Sequence, residues 1–287
     1  MPALIDLRRR IKSVKNTRQI TQAMKTVSTA KFKKAQRSVM ESRPRWHELP
    51  GLLERVTSWA GREISPLLDR REEKKIDVLV ITSDKGLCGA FNSNLLAKAG
   101  EFLAAKTPQA EAGLVLVGKK AVNFFRKSRL SILHTHAGKI DKISLADLKD
   151  IARLLMRRYV FAQTDAVYVI YNEFKSILAP RITITRILPV LEQEKEETRI
   201  LWPPDWEPEQ ERLLRALLPI YVETQVAHAF FESLAAEQAA RMMAMENAAR
   251  NADELIDDLV LVMNKIRQST ITKELLEIMT AVEALAK

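Results

Sequence analysis

The chain has one cysteine, Cys88, among 287 residues. A lone thiol excludes an internal disulfide and suits a reducing compartment. Glycine is scarce, and all eight glycines fall between Gly51 and Gly138. Aromatic residues make up only 6% of the chain, and the basic first segment holds just Phe32 and Trp46. That is too few for a base-stacking platform. No run approaches the roughly 20 apolar residues of a membrane span. The start, MPALIDLRRR, lacks the apolar core of a signal peptide. The longest absences lie at the two ends. Residues Ile220 to Lys287 contain neither Gly nor Pro, and the same holds from Ala3 to Arg43. Both stretches are free of the residues that break or kink helices.

What fills these stretches is periodic. In the tail, Met242, Met245, Ala249, Ala252, Ile256, Leu259, Met263, Ile266 and Thr270 recur in threes and fours. After a slip of one residue the repeat resumes at Ile271, Leu275, Ile278, Val282 and Leu285. At the other end Leu4, Leu7, Ile11 and Val14 keep the same spacing, and Ile20, Met24 and Val27 pick it up in a shifted phase. This average of 3.5 residues is the period of helices that supercoil around a partner. A helix over the whole tail is on the order of 100 Å long and needs something to lie against. Residues 1–43 carry six Lys and six Arg against Asp6 and Glu41, while residues 220–287 carry eleven acidic and six basic residues. Complementary charge favours an antiparallel coiled coil within one chain. Two separate helices in a bundle have the same periodicity, which does not name the partner.

The middle of the chain differs. Pro44, Pro50 and Gly51 interrupt the first helix, which is expected to bend and continue through Leu52, Leu53, Val56 and Trp59 until Gly61 and Pro66. Residues 69–75 (DRREEKK) read as a charged, solvated connector. Strands are expected at 76–82, 113–118, 130–134 (edge-like), 166–171 and 182–188, and helices at 93–106, 119–127 and, capped by Ser144, on to about Phe161. Strands alternating with helices argue for an open, largely parallel α/β sheet. Residues 192–197 (EQEKEE) form a polar loop, TRILWPPDWEPEQ is punctuation, and the return helix begins near Glu209 with Pro219 in its onset. The expected organisation is mixed: 1–68 an N-terminal coiled-coil helix, 69–207 a Rossmann-like α/β domain, 208–287 a C-terminal coiled-coil helix.

Few residues look like a chemical site. The loop SDKGLCGAFN (Ser83–Asn92) joins a strand to a helix as phosphate loops do, but its spacing is G-x-x-G without a following G-K-[ST]. Gly86 and Gly89 are more economically explained by a tight turn. Cys88 reads as a small core residue. His134 and His136 share a strand face but lack further ligands for a metal. Met242, Met243 and Met245 read as coiled-coil packing. Catalytic, cofactor and metal residues are therefore expected to be none. A basic coiled-coil protein binding nucleic acid and a nucleotide-binding enzyme remain the alternatives on composition alone.

Three stretches carry a resemblance: IKSVKNTRQITQAMKTVSTAKFKKAQ (Ile11–Gln36), SDKGLCGAFNSN (Ser83–Asn94) and EQAARMMAMENAARNADELIDDLVLVMNKIRQSTITKELLEI (Glu237–Ile278). In type and order they resemble the γ subunit of F-type ATP synthases, over essentially the whole chain. The resemblance implies a non-catalytic rotor. Its terminal helices fill the centre of a hexamer of three α and three β subunits. Its α/β domain lies against the ε subunit and the membrane ring of c subunits. By the same resemblance Met24, Lys25, Arg267, Gln268, Ser269 and Thr272 match positions facing the stator. Plain coiled-coil packing is an equal reading for Met24. Trp202, Trp206 and Glu207 match the side facing the c ring and ε, or pack on the domain itself. Ser28, Thr29, Ala30, Ser269 and Thr270 suit a surface that slides. The family often has MKMVAAAKL where this chain has MKTVSTAKF, so Thr26, Ser28 and Thr29 are more polar. The inserted dithiol of chloroplast relatives is not seen. A bacterial protein on the cytoplasmic face of the inner or plasma membrane is expected.

Overall fold

In chain order the elements are α1 (Pro2–Thr57), a 3-10 turn (Pro66–Leu68), β1 (Lys75–Ile81), α2 (Phe91–Lys106), β2 (Glu111–Val117), α3 (Lys119–Phe125), β3 (Ser131–His136), α4 (Leu145–Val160), β4 (Ala166–Phe174), β5 (Pro180–Leu188) and α5 (Gln210–Leu285). The structure, a computed structural model, describes residues 2–57, 64–138, 140, 143–176, 180–190 and 209–285. Trp59, Gly61, the loop 192–197 and the candidates Trp202, Trp206 and Glu207 lie outside these described residues. Every strand and helix expected between 76 and 188 forms. The helix α1 runs through Pro44, Pro50 and Gly51, and α5 runs through Pro219. The chain divides into two compact units, residues 1–28 with 242–287, and residues 29–241.

In the first unit the start of α1 and the end of α5 pair antiparallel. Two ion pairs set the register: Arg18 Nε to Asp253 Oδ1 at 2.5 Å, and Lys25 Nζ to Glu246 Oε1 at 3.2 Å. Each step forward on α1 is one step back on α5. Ile11 on one side and Met245, Ala249, Ala252, Ile256 and Leu259 on the other are buried, as their spacing requires.

Three expectations fail here. Ile20 and Val27 are 60% and 56% exposed, so the seam does not shift phase onto them. It continues from Leu4, Leu7, Ile11 and Val14 in a single phase through Arg18, Thr21, Lys25 and Ser28, of which Thr21 and Ser28 are buried. The seam holds polar residues because the Arg18 and Lys25 side chains reach across it to carboxylates. Ser28 is only 2% exposed and cannot belong to a sliding surface. Nor does the tail repeat continue as a seam: Ile271, Leu275, Ile278 and Val282 are all exposed. The register gives the reason. Leu4 lies level with Arg267, so α1 has run out by Thr270.

The second unit is built on a five-stranded sheet in the order β3-β2-β1-β4-β5. The first four strands are parallel, and β5 returns antiparallel to β4. β1 and β2 are buried on both faces, hence their unbroken apolar runs. Alternate residues separate the two cores. Leu79, Ile81, Val115, Val117, Val167 and Val169 pack with α4 and with Leu214, Leu218, Val222, Val226 and Phe230 of α5. Ile76, Val78, Val80, Leu114 and Leu116 pack with Leu95, Ala99 and Leu103 of α2 and with Phe125. Ser144 caps α4 as its spacing predicts, in a reciprocal box with Asp147. The connector 69–75 is solvated as expected, with only Arg71 and Glu73 half-buried. Glu73 accepts hydrogen bonds from Lys106 and Arg186 at 2.5 and 3.2 Å and from the Tyr168 hydroxyl at 2.7 Å.

One charge sits inside the sheet. Asp77 of β1 is buried and takes a two-pronged hydrogen bond from Arg158 of α4, at 2.6 and 3.2 Å. Burial pushes its carboxyl upward, and the guanidinium offsets part of that rise. Gly113 is its register partner on β2, and a Cβ there would stand 2.8 Å from Asp77 Oδ1. Glycine thus makes room for the pair. Arg158→Ala strands a buried carboxylate, and we expect it to cost about 3 kcal/mol of folding stability. A urea midpoint that falls with unchanged slope would register this loss.

Candidate functional site

The glycine loop leaves β1 at the carboxyl edge of the sheet, between β1 and β4, where open α/β sheets bind ligands. Its own atoms close it. The buried Ser83 donates its N–H to Asn92 Oδ1 at 3.0 Å and its hydroxyl to the Lys85 carbonyl at 2.7 Å. Asn92 Nδ2 lies 3.1 Å from Cys88 Sγ. Leu87 and Gly89 adopt the left-handed region, φ 62° and 58°. Asp84 ties neighbouring loops together by accepting the N–H groups of Lys119, Gly138 and Ile140 at 2.8 to 3.0 Å. Burial raises its pKa, but these three donors outweigh that and hold it below the usual aspartate range.

A phosphate cradle directs N–H groups inward. This loop instead turns carbonyl oxygens of Lys85 and Gly86 toward a cation of the chain itself, the guanidinium of Arg241 on α5, at 3.2 and 3.3 Å. Arg241 is also paired to Glu237, one turn earlier, at 2.7 Å. Cys88 and Phe91 complete the contact by packing on Ala236. The crevice is therefore filled by α5, and Gly86 and Gly89 serve a turn, as their spacing suggests. Nothing in the sequence of the loop pointed to Arg241, which lies 155 residues away from Gly86. Burial pushes the Cys88 thiol up. His134 is exposed and His136 half-buried on β3. Among the described residues no group of three or more His, Cys, Asp or Glu side chains is placed to hold a metal ion.

The outer faces of the two long helices are the other candidate. Met24 is half-buried, and Lys25 is engaged by Glu246. Arg267, Gln268, Ser269 and Thr272 are exposed, although the Thr272 hydroxyl turns back to the Gln268 carbonyl at 3.0 Å. The register separates the two groups. Lys25 stands level with Glu246, about 30 Å along α5 from Arg267. The six residues thus form two bands rather than one site. Ile20 and Val27 add apolar surface beside the first band. Beyond the end of α1, Leu275, Leu276, Ile278, Met279 and Val282 are all exposed. The doublets Leu275-Leu276 and Ile278-Met279 were the available signal, since adjacent apolar residues cannot both face one partner helix.

Comparison with known proteins bears on what these surfaces are for. The family model described as ATP synthase matches residues 3–285. An ATP synthase gamma chain of Pelotomaculum thermopropionicum is 42% identical over 287 residues, covering 99% of this chain and all of that one. The chain belongs to the ATP synthase gamma-chain family. A gamma chain of Solibacter usitatus is 43% identical over 291 residues, covering 99% of each. Among solved structures, a chain of the Euglena gracilis mitochondrial ATP synthase (OSCP/F1/c-ring, rotational state 3) shares the fold. Its TM-score is 0.69 at 21% identity, over 99% of this chain and 95% of that one. The gamma-chain resemblance of the three sequence stretches and the expected architecture of long terminal helices around an α/β core are both met.

Two outcomes test this gamma-chain family member's loop. Asp84→Ala is expected to cost about 2 kcal/mol at neutral pH. Because the folded carboxyl titrates lower than the unfolded one, its contribution is complete above the ordinary value near 3.9 and fades as pH falls below it. The gap between wild type and variant in chemical denaturation should therefore narrow in acid. Cys88, 2% exposed, should react with a thiol reagent far more slowly in the native chain than in denaturant.

Proposed function

We infer that this chain is the central rotor of an F-type ATP synthase, transmitting torque between a proton-driven c ring and a catalytic hexamer of three α and three β subunits. The single observation that carries this is identity above 40% over the full length of bacterial gamma chains. The nucleotide chemistry lies at the interfaces of the α and β subunits. This chain contributes shape and stiffness. In this reading 1–68 and 208–287 are the shaft, and 69–207 is the body that meets ε and the c ring.

Three features support the reading. The seam of the first unit is polar where Arg18 and Lys25 cross it, which leaves Ile20 and Val27 to face outward, with Met24 half-buried. Beyond Thr270 α5 is apolar on several faces and has no partner among the described residues, so it needs an apolar collar, and the hexamer is the proposed one. No described helix is long and apolar enough to cross a membrane. Attachment to the membrane then runs through the complex, on the cytoplasmic side. Met24, Lys25, Arg267, Gln268, Ser269 and Thr272 are the proposed stator contacts. Trp202, Trp206 and Glu207 are proposed to face the c ring or ε. No observation favours the nucleic-acid alternative.

Reconstitution tests the reading. Mixed with cognate α and β subunits, the chain should enter a complex at one copy per three of each, and a rod fixed to it should turn stepwise in one direction with ATP. Failure to join a hexamer that assembles would remove the rotor assignment. The proposed contacts are tested by Arg267→Ala combined with Gln268→Ala. Both side chains are exposed, so the isolated chain should melt within about 0.5 kcal/mol of wild type. ATP hydrolysis by the complex should change severalfold. An unchanged rate would mean that neither residue touches the stator.

A further inference from the structure

Arg241 is the last residue of the second unit, and its guanidinium is gripped there from two sides. Glu237 takes Nη1 at 2.7 Å, the Lys85 carbonyl takes Nη2 at 3.2 Å, and the Gly86 carbonyl takes Nε and Nη2 at 3.3 Å. The Arg241 and Glu237 side chains are only 9% and 7% exposed. Further back, Glu232 accepts the backbone N–H of Phe174, at the end of β4, at 2.9 Å. The contact of α5 with the sheet core from Leu214 to Phe230 is apolar.

These two kinds of contact resist different motions. Apolar burial is non-directional, so it holds α5 against the sheet but opposes small rotations weakly. A guanidinium fork on fixed carbonyls is directional. The side chain reaches about 6 Å from the helix axis, so a twist of about 10° moves it about 1 Å. That carries a 3.3 Å hydrogen bond beyond the length at which it still counts as one. The Arg241 side chain is only 9% exposed, so water replaces the lost bonds only in part.

We propose that Arg241, positioned by Glu237, is the torsional key of this rotor: it fixes the angle of α5 about its own axis at the last residue of the second unit, so that the glycine loop resists a twist of the helix there. The proposal rests on the rotor reading above. It also gives the glycine loop a purpose unrelated to ligands. The left-handed residues Leu87 and Gly89 let the chain reverse directly after offering two successive carbonyls to α5.

The test uses the reconstituted complex with the full chain. A gold rod is attached through Lys98→Cys on α2, an exposed position of the body. The buried Cys88 does not compete. The readout is the angular variance of the rod during pauses at limiting ATP. Arg241→Lys keeps the charge opposite Glu237 but replaces the planar fork by a point donor. The pair Arg241→Met and Glu237→Gln removes both buried charges together. In each, the pause variance is expected roughly to double, while the number of pauses per turn and the unloaded hydrolysis rate hold. If the lysine variant does not fold, the neutral pair decides. Unchanged variance on a complex that rotates overturns the key and leaves Arg241 a packing residue, even if the variants melt earlier. A wild-type complex that never rotates overturns the rotor reading instead, and the key with it.

Discussion

The apolar stripe of α5 from Leu214 to Phe230 covers one face of the sheet, and most of the fold depends on that burial. It joins α4 and the end of α1, through Leu53 and Val56, in one core with the inward residues of β1, β2 and β4. A single leucine-sized side chain buried in this way is worth about 1.5–3 kcal/mol. The stripe as a whole is therefore large on the scale of a domain's net stability. Within the second unit α5 is held from Leu214 to Phe230 by this burial and, at the last residue of that unit, by the hydrogen bonds of Arg241.

In the first unit the end of α5 is held to α1 in an unusual way. Its inner positions on α1 include Arg18, Thr21, Lys25 and Ser28, where a strongly self-associating coiled coil would place leucine or isoleucine. The exposed pairs Arg18–Asp253 and Lys25–Glu246 add little stability each but pin the register, as polar seam residues do. The apolar residues displaced from the seam face outward. A shaft designed only for its own stability would have the reverse distribution. This one keeps hydrophobic surface available to its surroundings.

Much of the α/β body was legible in the sequence because its signals are local. β-branched runs marked β1, β2 and β4, Ser144 marked the start of α4, and the alternation in 182–188 marked β5. The terminal helices were legible from their 3-4 spacing. The phase of the seam was not, because following apolar residues leads to Ile20 and Val27, whereas the buried positions are set by a partner more than two hundred residues away. Separations of 81 and 155 residues likewise hide the Arg158 partner of Asp77 and the Arg241 partner of Gly86. Residue type raised a phosphate site at that loop, and its G-x-x-G spacing favoured a tight turn instead. The direction of its carbonyls, which only the fold determines, turned it into a socket for a helix.

The stretch of α5 beyond Thr270 also carries information about timing. Outside its complex, a copy of this chain displays Leu275, Leu276, Ile278, Met279 and Val282 to water on a helix end that no other described residue covers. Such a surface is what chaperones hold and proteases enter, and it disappears on assembly. An unassembled copy is therefore marked as surplus by its own geometry, and the lifetime of the chain in the cell is tied to the supply of its partners rather than to its folding stability alone.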